Sequence, residues 1–268
     1  MEQKLACCLM SWRSHKTLEA TLETYKAQNL FSYFDEVIVL FQEVSIADLE
    51  IAEKYNLRYI TTDKNIGIHG GMRLLAESAT SDYILFLEND CPLIEEGKEI
   101  KSQLSLSISR LSKGEVDIYR MRSRWQPGEK FDTIEKYKEY HKLPNEKFNL
   151  HKFLRKLIRP GKYKKLIGTS PYVHETPQGF LYNRFIKKMP EGDFIVDSAV
   201  LPWTNQSVIV NRKLFLDVIL SYVGANPSRR TVCGFQDVEK SLNSKWWKNQ
   251  HFKIGIGKGL FTHKRLDR

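Results

Sequence analysis

The stretch Ser81-Asp-Tyr-Ile-Leu-Phe-Leu-Glu-Asn-Asp90 decides the fold of this chain, because a short apolar run in it ends in an acid, an amide and a second acid. Residues 83–87 have the length expected for a strand buried on both faces, as in parallel sheets covered by helices. Ligands of open α/β sheets bind outside the carboxyl ends of the strands. Glu88 and Asp90 are therefore candidate ligands of Mg²⁺ or Mn²⁺, which prefer carboxylate oxygens. A polar turn closed by Pro92 is the plainer interpretation of the same residues.

Strand-like and helix-like patterns alternate from the N-terminus up to this stretch. Strand-like runs cover residues 4–10, 36–41 and 58–61, and helical patterns cover 15–28, a segment from 45 onward, and 70–79. This alternation predicts the α/β class, with a mostly parallel sheet flanked by helices. Ser45 and Asp48 come close to a capping box at the start of the second helix. The expected buried face of that helix is Ile46, Leu49, Ala52 and Tyr55.

The segment that leads into the acidic stretch resembles the donor-binding half of GT-A glycosyltransferases, especially the family 2 type. In that family an Asn-x-Gly and a helix precede an apolar strand that ends in Asp-x-Asp. Here Asn65-Ile-Gly67 and Glu88-Asn-Asp90 stand in these places. Glu88 departs from the family pattern, so Asp90 is the better-matched metal ligand. The resemblance implies a Rossmann-type, GT-A-like fold, a UDP- or GDP-sugar donor, and Mn²⁺ or Mg²⁺ as cofactor.

The strand ends would then meet at one edge of the sheet and form the donor site. Lys64 and Arg73 would pair with the diphosphate, and Gly67 and Gly71 would let the backbone approach it. Neither a Walker motif nor Gly-x-Gly-x-x-Gly occurs, so ATPase and dehydrogenase functions have no motif to support them. The predicted donor-site residues are Ser11, Trp12, Arg13, Gln42, Lys64, Asn65, Gly67, Gly71, Arg73, Glu88 and Asn89.

Further candidates lie near the C-terminus, after a predicted strand at 207–210 and a helix at 212–222. Gln236-Asp237 stands where the family has a pair of acids whose second member is the catalytic base, so Asp237 is the candidate base and Glu239 its reserve. His263 follows a predicted last strand at 252–256, where several GT-A enzymes carry a histidine that returns to the metal. The residues alone leave a structural role open, because acids are common at helix N-termini and a lone histidine is often an ordinary one.

Residues 123–200 lose the alternation of strands and helices and become basic and aromatic, which predicts an insertion that faces the acceptor. Within it, 151–166 contains seven Lys or Arg residues and no acid. Phe153, Leu154, Leu157 and Ile158 share one helix face, so this segment predicts a basic amphipathic helix broken at Pro160. Contact with an anionic membrane, contact with a phosphorylated acceptor, and a solvated face packed on the core all remain open.

The composition narrows the classes of partner and location. A formal charge of +10 over 268 residues favours an anionic partner, which could be nucleic acid, phosphorylated substrate or membrane. No nucleic-acid motif accompanies the charge, so no nucleic acid is expected. Cysteines at 7, 8, 91 and 233 lack metal-type spacing and are expected to be reduced thiols. No apolar segment is long enough to span a bilayer, which favours a cytoplasmic protein with peripheral membrane contact through 151–166 as an option.

We interpret the chain as one domain with three parts: a nucleotide-sugar half at 1–122, the basic insertion at 123–200, and an acceptor and metal-completing half at 201–268. It would move a sugar to a hydroxyl of a glycan, lipid-linked or protein-linked acceptor, with a metal held by Asp90, Glu88 and His263. A catalytic base predicts inversion, and a retaining enzyme, which needs no such base, stays open. A sugar nucleotidyltransferase is one alternative, although its glycine-rich basic first loop is missing. A non-catalytic basic module for nucleic acid or membrane is the other.

Overall fold

A nine-stranded mixed sheet forms the centre of the computed structural model, which describes residues 3–129, 131–143, 146–177, 179–232 and 234–267. Its strands lie in the order β3-β2-β1-β4-β8-β5-β11-β7-β6, while β9 and β10 form a separate hairpin. The strands are β1 (Leu5–Ser11), β2 (Glu36–Gln42), β3 (Tyr59–Thr62), β4 (Tyr83–Glu88), β5 (Ile118–Arg122), β6 (Ile186–Lys188), β7 (Phe194–Asp197), β8 (Val208–Asn211), β9 (Thr231–Val232), β10 (Phe235–Gln236) and β11 (Lys253–Phe261).

The first four strands are parallel to one another, so their carboxyl ends meet at one edge. Met10 pairs with Glu88 and Ser11 with Phe41, which places the ends of β1, β2 and β4 side by side. β8 runs antiparallel between β4 and β5, and β11 is parallel to β5. The predicted α/β class and mostly parallel sheet are confirmed. The structure adds β6 and β7, which the sequence did not predict, as an antiparallel edge beyond β11.

Helices cover both faces of the sheet, and a π-helical stretch at Phe215–Leu220 joins two of them. Within the described ranges, no helix is long and apolar enough to cross a bilayer. The helices are α1 (His15–Ala27), α2 (Ile46–Lys54), α3 (Gly67–Ser78), α4 (Gly97–Ser112), α5 (Asp132–Tyr140), α6 (Leu150–Ile158), α7 (Pro160–Lys165), α8 (Phe180–Phe185), α9 (Arg212–Leu214), α10 (Ser221–Ala225), α11 (Val238–Leu242) and α12 (Lys245–Gln250).

The start of α2 is confirmed, but of its predicted buried face only Ala52 is buried, and Ile46 and Leu49 are exposed. Ser45 and Asp48 form a complete capping box. Ile46 is 79% exposed and Leu49 is 41% exposed, whereas Asp48, Ile51 and Ala52 are buried. The reason lies in the cap itself, because the Asp48 carboxylate also lies 3.2 Å from His15 Nε2 at the start of α1. This contact turns the Asp48 side of α2 inward and leaves Ile46 in solvent.

Alternate residues of β1 enter two hydrophobic layers on opposite faces of the sheet. Cys8 and Met10 belong to the layer under α3, and Cys7 and Leu9 to the layer under α1. Cys7, Cys8 and Cys91 are buried free thiols, as predicted, and Cys233 lies outside the described residues.

The insertion folds into short helices, α5 to α8, around a small aromatic cluster. His141 stacks between the rings of Tyr137 at 4.3 Å and Tyr163 at 4.1 Å. Its Nε2 lies 2.9 Å from the carbonyl oxygen of Tyr163, and its Nδ1 lies 2.9 Å from the hydroxyl of Tyr182. Since a carbonyl only accepts, Nε2 carries the proton of a neutral ring. Burial lowers the pKa of His141 to about 4.

We predict that His141 makes the folded state sensitive to mild acid. Its folded pKa lies below the unfolded value of about 6.5, so its contribution is complete above that pH and is lost as pH falls towards 4. Between pH 7.5 and 5 the wild type should lose about 2 kcal/mol more unfolding free energy than His141→Phe, which lacks the titrating group. Urea unfolding of both proteins at the two pH values measures this. Parallel losses in the two proteins would contradict a buried neutral histidine.

Candidate active site

The loop between β3 and α3 is shaped by the predicted Asn-x-Gly residues. The side-chain oxygen of Asn65 accepts a hydrogen bond from the Gly67 amide at 2.7 Å, and that of Gln42 accepts from the Ile66 amide at 2.9 Å. Gly67 has a φ of +73°, and a Cβ there would stand 2.6 Å from the ring of Phe235. Glycine at 67 therefore lets this loop approach the β9–β10 hairpin, which precedes Asp237.

Close packing of α3 on the sheet depends on Gly71. A Cβ at this position would lie 2.4 Å from the sulfur of Met10, so α3 approaches the end of β1 only because no side chain intervenes. The two cations predicted to bind phosphate differ in their surroundings. Lys64 is exposed, whereas Arg73 is ion-paired with Glu77 at 3.5 Å, one turn further along α3.

The tips of β1 and β2 are tied together by Glu43. Trp12 Nε1 donates to Glu43 Oε2 at 2.9 Å, and the Arg13 guanidinium pairs with the same carboxylate. The hydrogen bond from Trp12, followed by the charge of Arg13, lowers the pKa of Glu43. Ser11 is buried beside Asn89, whose amide lies 3.4 Å from its hydroxyl. The predicted residues at these tips are thus brought together at one edge of the sheet.

Asp90 is fully buried at the end of β4 and meets two side chains from beyond β11. Its Oδ2 lies 3.0 Å from His263 Nε2 and 2.7 Å from Arg265 Nη2. Burial opposes its ionisation, but the hydrogen bonds and charges of His263 and Arg265 prevail and lower the pKa of Asp90. His263 Nδ1 lies 2.9 Å from the carbonyl oxygen of Glu129, which requires the proton on Nδ1 when the ring is neutral. The structure therefore places His263 beside Asp90, and it adds Arg265, which the sequence gave no motif to find.

The predicted metal trio is not assembled as a group. In the described part of the chain, no three His, Cys, Asp or Glu side chains converge on a point that could hold a metal ion. Burial of its carboxyl group, followed by the charges of Asp90 and Glu239, raises the pKa of Glu88. The role of Glu88 as a metal ligand stays a prediction.

Asp237 and Glu239 lie at the start of α11. Asp237 is the N-cap and accepts from the Lys240 amide at 3.0 Å, while Arg230 Nε lies 3.3 Å from its other oxygen. The structural role that acids often have at helix N-termini is therefore present here. Glu239 Oε1 accepts from the Asn205 amide at 3.1 Å, and burial, followed by the charge of Asp237, raises its pKa.

Both acids line an open cavity of about 690 Å³ between β5, α7, the 201–206 loop and α11. Arg120 and Arg122 of β5 reach this cavity, and sequence reasoning missed them. The sequence does contain a sign of them, because two arginines stand at alternate positions of an otherwise apolar strand. This spacing places both side chains on one face of β5.

Solved structures with a similar fold are glycosyltransferase-type proteins at low identity. A TarS fragment from S. aureus in complex with UDP-GlcNAc is 14% identical with a TM-score of 0.51; the match covers 99% of this chain and 60% of that fragment. Glucosyl-3-phosphoglycerate synthase from Mycobacterium tuberculosis, with Mn²⁺, UDP-Glc and phosphoglyceric acid, is 12% identical with a TM-score of 0.50; the match covers 99% of this chain and 73% of the synthase. At these identities the likeness concerns the fold.

Comparison with curated protein sequences finds no match. The family model for glycosyl transferase family 2, however, matches residues 8–186, which is more than half of the chain. This range includes the Asn65-Ile-Gly67 loop, the acidic end of β4 and the arginines of β5. The chain therefore belongs to glycosyl transferase family 2, and its predicted resemblance to the GT-A glycosyltransferases is confirmed.

Proposed function

We propose that the protein transfers a sugar from a UDP- or GDP-sugar to a hydroxyl of an acceptor. The observation that carries the proposal is the buried Asp90–His263 pair at the strand ends, next to a cavity lined by Asp237 and Glu239. The two regions adjoin, since Glu239 at the cavity is close enough for its charge to raise the pKa of Glu88 at the end of β4. Donor groups on one side and candidate bases on the other are what glycosyl transfer requires.

The donor would lie across the tips of β1, β2 and β4. The Ile66 and Gly67 amides are already bonded to Gln42 and Asn65, so the first turn of α3 offers the backbone amides. Helix N-termini favour phosphate. Structures of the same fold contain UDP-GlcNAc or UDP-Glc, which supports a nucleotide-sugar donor here. We include Ser11, Gln42 and Asn65 in this site, where they shape the edge on which the nucleotide would rest.

Asp90 and His263 fit a Mn²⁺ or Mg²⁺ ion. Their facing atoms are 3.0 Å apart, about the separation of two neighbouring ligands in an octahedral ion with bonds of about 2.1 Å. His263 Nδ1 is engaged by the carbonyl of Glu129, which leaves Nε2 as the ligand atom. Such ions usually bind through one or two protein groups, with water and substrate phosphates completing the shell. When bound, the ion would neutralise charge on the departing nucleoside diphosphate.

We predict that Mn²⁺ binding in the presence of UDP or GDP depends on this pair. His263→Ala and Asp90→Asn should each weaken Mn²⁺ affinity at least about tenfold, because each removes a ligand atom. Isothermal titration of nucleotide-saturated protein with Mn²⁺ measures it. His251→Ala is the matched control, since His251 is exposed and pairs with Asp197 away from the site. Equal Mn²⁺ affinity in wild type and His263→Ala would return His263 to a structural role.

Asp237 is the base in the proposed mechanism. The acceptor oxygen attacks the anomeric carbon from the face opposite the diphosphate, the bond from carbon to the phosphate oxygen breaks, and the acceptor proton passes to Asp237. The result is inversion. Arg230 and the Lys240 amide hold the Asp237 carboxylate in place at the cavity. Glu239 is the second candidate, because burial raises its pKa towards the pH at which a base works best.

We predict that Asp237→Asn slows transfer by at least about a hundredfold, within the usual range of general-base catalysis. Asparagine is also a good N-cap, so the variant should fold normally and bind donor as the wild type does. Single-turnover assays and melting temperatures of Asp237→Asn and Glu239→Gln separate the two acids. Loss of turnover only in Glu239→Gln would move the role to Glu239. If neither variant is slow, the inverting mechanism fails, and the anomeric configuration of the product by NMR will show it.

We also propose that α6 contacts anionic membrane. None of its residues is buried, and Leu150, Leu157 and Ile158 are 60%, 60% and 74% exposed. The apolar side of this helix thus faces solvent and is not packed on the core. Lysines and arginines surround it without an acid between 151 and 166. A helix with an exposed apolar face and a basic polar face binds in the plane of an anionic bilayer surface.

We predict that wild-type protein sediments with vesicles of mixed phosphatidylcholine and phosphatidylglycerol, and less with pure phosphatidylcholine. The double substitution Leu157→Ser and Ile158→Ser should abolish most of this binding. Ile46→Ser is the control, because Ile46 is equally exposed but lies on α2. Unchanged sedimentation of the α6 variant, or none of the wild type at low salt, would leave α6 as a solvated helix.

A further inference from the structure

The cavity in front of the proposed base has an unusual surplus of cations. Asp132, Asp237 and Glu239 are its acids, and the first two have cationic partners in Lys136 and Arg230. Five further cations of the lining form no ion pair with a carboxylate of any described residue. They are Arg120 and Arg122 of β5, Lys162 and Lys165 of α7, and Lys240 of α11.

The two arginines are buried and held in place by neutral groups. Arg120 is 4% exposed and Arg122 is 5% exposed. Arg120 Nη2 donates to the carbonyl of Pro202, and Arg122 donates to the carbonyl of Pro127 at 2.6 Å and to the side-chain oxygen of Gln206. These acceptors fix the side chains without cancelling their charge. The charges of both arginines act on the Glu239 carboxylate, which forms no ion pair with either of them. Buried cations are normally paired, so two of them without an ion pair beside an open cavity leave positive charge for a further anion.

The two guanidinium groups also differ in what they offer. All three nitrogens of Arg122 donate to described groups, since Nη2 reaches the carbonyl of Glu129 at 3.0 Å. Arg120 donates only through Nη2 to a described acceptor, which leaves its Nε and Nη1 for a ligand. Arg122 would therefore contribute charge, and Arg120 direct hydrogen bonds.

The lysines extend the positive field across the cavity. Desolvation, followed by the charges of Lys248 and Lys240, lowers the pKa of Lys165, because like charges near one another disfavour the charged form. Lys162 Nζ lies 4.9 Å from the ring centre of Tyr140 and has no described carboxylate partner. An anion between α7 and β5 would relieve this repulsion. A phosphoryl group carries nearly two charges and three acceptor oxygens, so it matches several cations better than a carboxylate does.

We propose that the acceptor carries a phosphoryl group, bound between Arg120 and the α7 lysines, with its hydroxyl presented to Asp237. This rests on the proposed transfer activity, because it assigns the chemistry of the second substrate to the same site. The phosphoryl group is not transformed. It orients the acceptor and fixes the hydroxyl near the base, so that binding energy remote from the reacting atoms contributes to transfer.

The test uses the full chain with Mn²⁺ and with both UDP and GDP present, so that phosphate sites in the donor half are occupied. Glucose 6-phosphate, glucose and glucuronate are then titrated in separate experiments. Wild type should bind glucose 6-phosphate measurably, glucose not at all, and glucuronate at least about tenfold more weakly, with affinity falling as salt rises. Equal binding of glucose, or equal or tighter binding of glucuronate, overturns the assignment of a phosphoryl group.

Variants locate the binding in the cavity. Lys162→Gln with Lys165→Gln changes two exposed side chains and should weaken glucose 6-phosphate binding at least about tenfold without unfolding the chain. Arg120→Gln is the stronger variant, but its burial in β5 makes the lysine pair the safer one. Lys187→Gln with Lys213→Gln is the control of equal charge outside the cavity. Identical weakening in control and test variants overturns the site, because it reveals a nonspecific charge effect.

Failure of this inference differs from failure of the proposed function. If UDP or GDP binds with Mn²⁺ but glucose 6-phosphate binds no better than glucose, the donor assignment stands and the phosphorylated acceptor is wrong. If glucose 6-phosphate binds in the cavity while neither nucleotide binds with or without Mn²⁺, the anion site stands and the transfer activity is wrong.

Discussion

The burial of the Asp90 carboxylate is the constraint on which this structure depends. A buried charge must be compensated, and Asp90 obtains its partners from the far end of the chain, with Arg265 lying 175 residues away in sequence. Main-chain hydrogen bonds connect the same two segments. The Lys264 amide donates to the carbonyl of Asp90, and the Thr262 amide donates to the carbonyl of Pro92. The chain then reaches α1, where the Asp267 carboxylate accepts from the amides of Lys16 and Thr17. This edge of the sheet is therefore closed by the segment that follows the last strand.

The charged groups near this edge form two regions, with carboxyl groups at the tip of β4 and arginines at the cavity beside β5. Two carboxyl groups two residues apart are pushed in opposite directions: the pKa of Asp90 is lowered by its partners, and that of Glu88 is raised by burial and by neighbouring acids. Such a pair limits the negative charge at the tip of β4 when no cation is bound. On the other side of β8, Arg120 and Arg122 of β5 make the cavity positively charged. A donor with a charged diphosphate would thus bind at the tip of β4 and an anionic acceptor in the cavity beside β5. Each substrate would have its own cations to balance its charge.

The parts of the fold that sequence predicted are those fixed by local periodicity. Strands β1 to β4, β8 and β11 follow from apolar runs of strand length, and Ser45 with Asp48 predicts the start of α2. The contact between His263 and Asp90 was expected from a family resemblance, because no local pattern links residues so far apart. Strands β6 and β7 were missed because they lie in the insertion, where the alternation of strands and helices stops. In the folded chain β7 pairs with β11 and β6 pairs with β7, which extends the sheet. Arg120 and Arg265 were not predicted, because their roles depend on which groups lie next to them in the folded chain.

The central claim is that Asp90 anchors a metal-assisted nucleotide site, and thermal unfolding with a nucleotide panel tests it most directly. A ligand at about a hundred times its dissociation constant stabilises the folded state by about 2.7 kcal/mol, enough to raise the melting temperature by several degrees. We predict such a rise for UDP or GDP with Mn²⁺, a smaller one without the ion, and only the smaller one in Asp90→Asn whether or not Mn²⁺ is present. An equal rise in wild type and Asp90→Asn with Mn²⁺, or stabilisation by a single-stranded oligonucleotide and by no nucleotide, would contradict it.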